Sequence, residues 1–212
     1  LHVGAVRALA IDGEDPALTA RRALLPVAQP AADPIVTASA VDWQTQRMYL
    51  GVRTSQLLVV QLSLPSMVVV NQAAVGPPDR SIDAIIIGGG PGRLHVLLSA
   101  SNSASETPKT AEIKALLTPD LKVVASTAFH VGSAVVGVHL DSASRELYVL
   151  CGAPRPEVVR LRLGGVEPEP PSGIGGRVRL PSADVLPWLL SFPEERMLLA
   201  LAGPAANARG AD

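Results

Sequence analysis

The sequence predicts an all-β protein in which a four-stranded antiparallel unit is repeated. Short apolar runs rich in valine and leucine recur along the 212 residues, and clusters of Gly, Pro, Asp and Ser separate them, which is the pattern of strands and turns. Aromatic residues make up only 3% of the chain. Val, Leu, Ile and Ala must therefore fill the core, and β-branched side chains favour strands.

The clearest copy of the repeated hairpin lies at residues 41–52. An apolar run ends at Asp42, a polar turn follows, and a second apolar run begins at Met48, as in two antiparallel strands joined by a tight turn. The apolar, variable, apolar pattern of this second run returns at intervals of 46 to 53 residues, beginning at Leu1, Met48, Leu94, Leu147 and Met197. Such an interval is typical of β-propeller blades, which repeat every 40 to 50 residues or so.

Each complete copy contains four apolar runs, so we expect it to fold as one four-stranded blade. The runs lie at 38–41, 48–50, 57–62 and 67–70 in the second copy, at 84–87, 94–96, 112–117 and 121–125 in the third, and at 137–140, 147–149, 158–163 and 177–180 in the fourth. The first copy keeps runs at 1–3, 6–11 and 18–25, and the last copy keeps runs at 185–190 and 197–201.

The predicted fold is thus a β-propeller built from four-stranded antiparallel blades, with about four blades present. The end copies carry three runs and two runs, which do not join into one set of four, so we expect an open arc that is part of a larger propeller. A small closed ring and a β-sandwich are the alternatives. A sandwich does not explain why similar hairpins return at every fourth strand.

The blades are predicted to occupy residues 1–202, with the first blade incomplete at its start and the last incomplete at its end. Residues 203–212 are Ala-rich and carry no apolar pattern, so they are predicted to be a flexible tail or linker. A Ser-rich segment at 99–110 and a Pro- and Gly-rich segment at 164–176 interrupt the repeats. We predict surface loops at both places.

The second copy resembles the YVTN-type β-propeller repeat. The matching segments are Ala40-Val41-Asp42, Arg47-Met48-Tyr49-Leu50, residues 59–62, residues 68–70 and Val75-Gly76-Pro77. The fourth copy, from His130 to Leu161, is a second match, whereas the third copy has Gly88 and the last copy Ser191 in place of the turn Asp. The resemblance covers residues 1–202 and implies blades of four antiparallel strands.

Composition limits the classes of partner. The 18 Lys and Arg residues are balanced by 19 Asp and Glu residues, for a net charge of −1, so the chain has no overall field that would attract nucleic acid. No apolar run reaches the roughly 18 residues of a membrane span. Cys151 is the single cysteine, which favours an intracellular location and leaves an extracellular one open.

The residues that invite a catalytic interpretation are better explained by turns and packing. Asp42 and Asp141 stand at the first corners of hairpins, where an Asp side chain caps its own turn. The glycine-rich segment 88–92 lacks the lysine of a phosphate loop and precedes a strand, and Cys151 reads as a small buried hydrophobe. We therefore predict no catalytic residue and no cofactor.

The four histidines likewise form no recognisable metal-binding pattern, so no metal site is predicted. His2 and His95 occupy the position that Tyr49 and Tyr148 fill in other copies, which predicts a structural role on the second strand of a blade. His130 and His139 fall on flanking strands, where they are free to face solvent.

The function that this pattern favours is a non-enzymatic scaffold that binds other proteins within a larger assembly or the rest of the same polypeptide. Candidate contacts are Trp43, Arg53, Arg80 and Arg155, which fall in hairpins and connections between strands. Trp43 either packs on a neighbouring blade or is exposed to bind a partner. The alternatives are a hydrolase or lactonase-like enzyme with a site in the central channel, which the family resemblance raises, and a structural component of an extracellular or surface filament.

Overall fold

A computed structural model describes residues 5–7, 22–24, 34–88, 92–100, 109–152, 155–163, 176–180, 185–192 and 197–202. Sixteen strands and no α-helix lie in these ranges. Within them, accordingly, no helix is long and apolar enough to cross a membrane. The predicted tail at 203–212, the run at 1–3 and most of the two insertions fall outside the described residues.

The strands form three complete four-stranded antiparallel sheets and two strand pairs. Blade 1 holds β1 (Ala5–Arg7) and β2 (Arg22–Leu24), and blade 2 holds β3 (Ile35–Asp42), β4 (Arg47–Arg53), β5 (Leu57–Ser63) and β6 (Val68–Gly76). Blade 3 holds β7 (Arg80–Ile87), β8 (Arg93–Ala100), β9 (Lys109–Leu117) and β10 (Lys122–Val131). Blade 4 holds β11 (Val135–Asp141), β12 (Glu146–Cys151), β13 (Glu157–Arg162) and β14 (Arg177–Arg179), and blade 5 holds β15 (Val185–Phe192) and β16 (Met197–Ala202).

This architecture confirms the predicted β-propeller of four-stranded blades. Within each complete blade, every strand pairs with the strand that follows it in the chain. Some strands are longer than predicted: β6 continues to Gly76 and β10 to Val131. In both strands two polar residues, at 71–72 and 126–127, interrupt the apolar run on which the prediction rested. The segment predicted as a loop from residue 99 in fact begins inside β8, which ends at Ala100. That the blades belong to a larger propeller stays a prediction.

The first strands of blades 2, 3 and 4 line a central channel. β3 and β11 both lie against β7, and β15 lies against β11. Residues near the starts of β3, β7 and β11 line one cavity of about 420 Å³, so the three strands point the same way. We call the end of the blades where these strands begin the start face, and the opposite end the hairpin face.

The hydrophobic core lies between blades. One cluster of buried side chains joins blade 2 to blade 3, with Tyr49 and Val59 from one side and Leu94 and Val96 from the other. A second cluster joins blade 3 to blade 4, again with apolar residues from both sheets. Alternate residues of a strand point to opposite faces of its sheet, so blade 3 is buried on both faces.

Four hairpin turns share one backbone geometry. The last residue of each turn has a positive φ between 50° and 56°, and these residues are Gln46, Met67, Leu121 and Arg145. Gly92, with φ 64°, takes the same place in the hairpin between β7 and β8. A left-handed residue costs most side chains on the order of 1 kcal/mol, so the surrounding strands impose this turn on residues that do not favour it.

A β-bulge recurs near the start of the first strand in each of the three complete blades. Thr37, Asp83 and Val136 are each skipped in the pairing with the second strand of their blade. An extra residue of this kind bends its strand and leaves its own backbone outside the regular pairing. The three bulged residues all line the central channel.

Gly51 is required for the contact between blades 2 and 3. A Cβ atom at this position would lie 2.9 Å from Cγ2 of Ile82, so Gly51→Ala should force the sheets apart and lower the free energy of unfolding by about 1–3 kcal/mol. Chemical denaturation of the full chain measures this loss.

Gly76→Ala is the matched control for that experiment. The nearest atoms to its Cβ would be Leu98 Cδ1 at 3.7 Å and Leu57 Cδ1 at 3.8 Å, which is ordinary contact. We expect Gly76→Ala to leave stability unchanged or to raise it by up to about 1 kcal/mol. Equal unfolding free energies for the two variants would contradict the tight packing at Gly51.

Candidate interaction surfaces

Trp43 projects from the hairpin between β3 and β4. Its relative exposure is 77%, the highest among the exposed large hydrophobic residues of the described chain. Asp42 fixes the turn from which it projects: Oδ1 accepts from the backbone N–H of Gln44 at 3.0 Å and of Thr45 at 3.3 Å, and Oδ2 accepts from Thr45 Oγ1 at 2.7 Å. A large aromatic side chain thus stands in solvent on an ordered turn, and its predicted partner contact stays a prediction.

Asp141 makes the same turn in blade 4. Its Oδ1 accepts from Ala143 N at 3.0 Å, and its Oδ2 accepts from Ser144 Oγ at 2.7 Å. The Ser144 hydroxyl, together with the backbone N–H groups, lowers the pKa of Asp141 from its ordinary value. These bonds confirm that Asp42 and Asp141 are turn residues, each occupied within its own blade.

Arg80, at the start of β7, is held by an ion pair. Its Nη1 lies 2.5 Å from Oε2 of Glu112, and the other carboxylate oxygen, Oε1, lies 3.3 Å from Lys114 Nζ. Burial raises the pKa of Glu112, but the Ser126 hydroxyl and the charges of Lys114 and Arg80 outweigh it, and the net shift is downward. The guanidinium of Arg80 is therefore engaged inside blade 3, and a partner contact by this residue stays a prediction.

The predicted contact residues divide between the two faces of the propeller. Arg53 ends β4, and Arg155 is exposed between β12 and β13, so both lie on the start face with Arg80. Trp43 lies on the hairpin face. The structure therefore brings the three arginines to one face and separates them from the tryptophan, which the sequence pattern did not predict.

Asp83 is a channel residue that the sequence analysis missed. It precedes the apolar run at 84–87, and the bulge places it in the lining of the central channel beside Ser81. Burial raises its pKa, while hydrogen bonds from Ser99 and Ser81 act in the opposite direction. The one feature of the sequence that could have indicated this position is a carboxylate directly before the apolar run at 84–87.

The histidines and the cysteine differ in their exposure. His95 is 1% exposed, as predicted for its structural position, whereas His130 is exposed and His139 is half-buried. Cys151 is free and fully buried, and burial raises the pKa of its thiol to about 12. His2 lies outside the described residues. Among the residues that the structure describes, no three or more His, Cys, Asp or Glu side chains form a cluster that could hold a metal ion.

Comparison with known proteins finds partly similar solved structures and no match in sequence. No family model matches the chain, and no curated protein matches it. Among solved structures, the crystal structure of a eukaryotic initiation factor is similar over 68% of this chain, with 9% identity and a TM-score of 0.45. The crystal structure of BamB from Moraxella catarrhalis is similar over 63%, with 15% identity and a TM-score of 0.39. The chain matches about a third of the length of each protein, 32% and 36%.

His95 makes stability depend on pH. Burial lowers its pKa from 6.5 to about 4, and its Nδ1 atom has no hydrogen-bond partner in the described structure. As the pH falls, His95 is protonated in the unfolded chain before it is protonated in the folded protein. The stabilisation from neutral His95 is therefore complete above pH 6.5 and is lost as the pH falls towards 4. We expect the free energy of unfolding to fall by about 3 kcal/mol across this window from His95 alone.

Urea titrations of the full chain at several pH values test this expectation. His95→Gln removes the titrating group and should flatten the dependence between pH 6.5 and 4. His130→Gln changes an exposed histidine and should retain it. If the His95 and His130 variants keep the same pH slope, then His95 does not titrate in this window.

Proposed function

We propose that this β-propeller is a non-enzymatic scaffold that binds a protein partner through its hairpin face. The observation that carries the proposal is the exposure of Trp43 on a turn held by three hydrogen bonds that the Asp42 carboxylate accepts. Tryptophan is enriched among the residues that dominate binding energy at protein interfaces. A rigid turn also lowers the entropy that is lost when such a side chain is immobilised.

Arginines on the start face extend the proposal to a second surface. Arg53 and Arg155 lie on that face, and the Arg80–Glu112 ion pair holds the start of β7 within blade 3. Arginine is also enriched in interfaces because its guanidinium makes several directed hydrogen bonds. Two separate faces would allow the propeller to join different partners within a larger assembly.

We further propose that the blades belong to the YVTN type. The segments that resemble this repeat coincide with structural elements: Ala40-Val41-Asp42 ends β3, and Arg47-Met48-Tyr49-Leu50 begins β4. The corresponding segments of blade 4 end β11 and begin β12. This agreement supports the assignment at the level of the single blade.

A hydrolase with a channel site is the second candidate, and Asp83 is the observation that favours it. One carboxylate oxygen of Asp83 is buried without a hydrogen-bond partner in the described structure, beside the channel cavity. Elemental analysis of the purified full chain separates the two functions. A divalent metal at one equivalent, lost in Asp83→Asn, would support the enzyme.

Affinity capture with the full chain tests the scaffold. We expect Trp43→Ala to lower the recovery of a bound partner about tenfold, which corresponds to the 1.4 kcal/mol or more that an anchoring tryptophan contributes. The variant should unfold within about 0.5 kcal/mol of the wild type, because the side chain is exposed. Quantitative mass spectrometry of captured proteins provides the readout.

Gln44→Ala is the control, since Gln44 is exposed in the same turn. Its captured proteins should match those of the wild type in identity and amount. If Trp43→Ala and Gln44→Ala capture the same proteins equally well, then Trp43 is not the anchor.

A further inference from the structure

We propose that a groove on the start face of blades 3 and 4 binds an acidic peptide segment of a partner protein. The groove lies where the end of β10 meets β14 and the connection between β12 and β13, and its volume is about 640 Å³. This size falls in the range of roughly 300–1,000 Å³ that ligand sites occupy. The proposal rests on the scaffold function but concerns a different face from Trp43, and it names the chemistry of the partner.

The groove carries an excess of positive charge. Arg155, Arg177 and Arg179 line it, and Glu157 is the one acidic residue among its described lining residues. The whole chain, by contrast, has a net charge of −1. A local concentration of guanidinium groups on a slightly acidic protein favours an anionic ligand at this place.

Glu157 holds one of these arginines in a fixed position. Its Oε1 accepts a hydrogen bond from the backbone N–H of Gly132 at 2.8 Å and lies 3.1 Å from Nη1 of Arg177. Arg177 Nη2 also donates to the backbone carbonyl of His130. A guanidinium carries five N–H donors, so Arg177 is oriented by these contacts and retains donors for a ligand.

The backbone around Arg155 is also fixed. Ser133 Oγ contacts the carbonyl oxygen of Arg155 at 3.3 Å, and the N–H of Leu180 donates to the carbonyl of Pro156 at 2.9 Å. Arg155 and Arg179 themselves are exposed. Two exposed guanidinium groups on an ordered backbone thus lie in the same groove as the oriented Arg177, and bidentate pairs with carboxylates become available.

Apolar groups beside the arginines narrow the ligand to a peptide with both acidic and apolar side chains. Val131 is buried, and Pro156 and Leu180 are half-buried in the lining. Nucleic acid needs an extended basic surface to track its phosphates, whereas this groove has only two positive charges in excess and an apolar wall. Carboxylates on a peptide would pair with the guanidinium groups, and a neighbouring Leu or Val would pack against the apolar wall of Val131, Pro156 and Leu180.

Fluorescence anisotropy with the full chain tests the proposal. The probe is a labelled peptide with blocked ends in which Glu and Leu alternate, and the matched probe has Gln in place of Glu. We expect the Glu peptide to bind at least about tenfold more tightly than the Gln peptide, and its binding to weaken as salt is added.

Charge reversal in the groove supplies the second arm. Arg155→Glu combined with Arg179→Glu should weaken the Glu peptide at least about tenfold, while Arg162→Glu should change its affinity by less than about twofold. Arg162 is an exposed arginine at the opposite end of blade 4, so its reversal controls for a change in net charge outside the groove, at half the size of the change in the double variant. Should the reversed double variant fail to fold by circular dichroism, Arg155→Gln with Arg179→Gln replaces it with the same expected direction.

These experiments test peptide binding in the groove independently of partner binding at the hairpin face. Trp43→Ala should bind the Glu peptide as the wild type does, so a failure of the Trp43 anchor leaves this result intact. Equal affinity for the Glu and Gln peptides, or unchanged affinity in the groove variants, overturns the proposal. Tighter binding of a thymidylate oligonucleotide than of the Glu peptide overturns it as well, in favour of nucleic acid.

Discussion

The packing of one sheet against the next is the constraint on which the rest of this structure depends. A single four-stranded sheet exposes two apolar faces, and each is covered only when another blade lies against it. Leu97 and Ile113 of blade 3 pack towards blade 4, while Leu94 and Val96 of the same blade pack towards blade 2. This mutual burial explains the glycine at position 51, because the two sheets meet there too closely for a side chain.

The fold could be predicted because packing between blades requires a similar order of apolar runs and turn residues in each copy of the repeat. Buried strands require apolar residues at alternating positions, and an Asp side chain at the first corner of a hairpin stabilises the turn, so Asp42 and Asp141 stood in matching positions of the sequence. The structure gives both residues the same hydrogen bonds. The place of His95 could be predicted for the same reason, since it fills a position on the second strand that Tyr49 and Tyr148 occupy in blades 2 and 4.

What could not be predicted depends on contacts between segments that are distant in sequence. The sequence around Arg80 does not indicate its partner Glu112, because the two residues meet only through the side-by-side arrangement of β7, β8 and β9. The groove likewise requires Arg155 and Arg177, which come together through the pairing of β13 with β14. The bulge at Asp83 left no trace in the apolar pattern, because one skipped residue does not interrupt an apolar run.

The repeated bulge has a consequence for how such a protein can change. Thr37, Asp83 and Val136 occupy the same structural place with a hydroxyl, a carboxylate and an aliphatic side chain, so the blade tolerates three chemistries there without a change in its strand order. Each blade thereby offers one position at which a substitution alters the lining of the channel and leaves the ladder of backbone hydrogen bonds intact. Evolution and protein engineering can both use this separation between the scaffold and the chemistry of its axis.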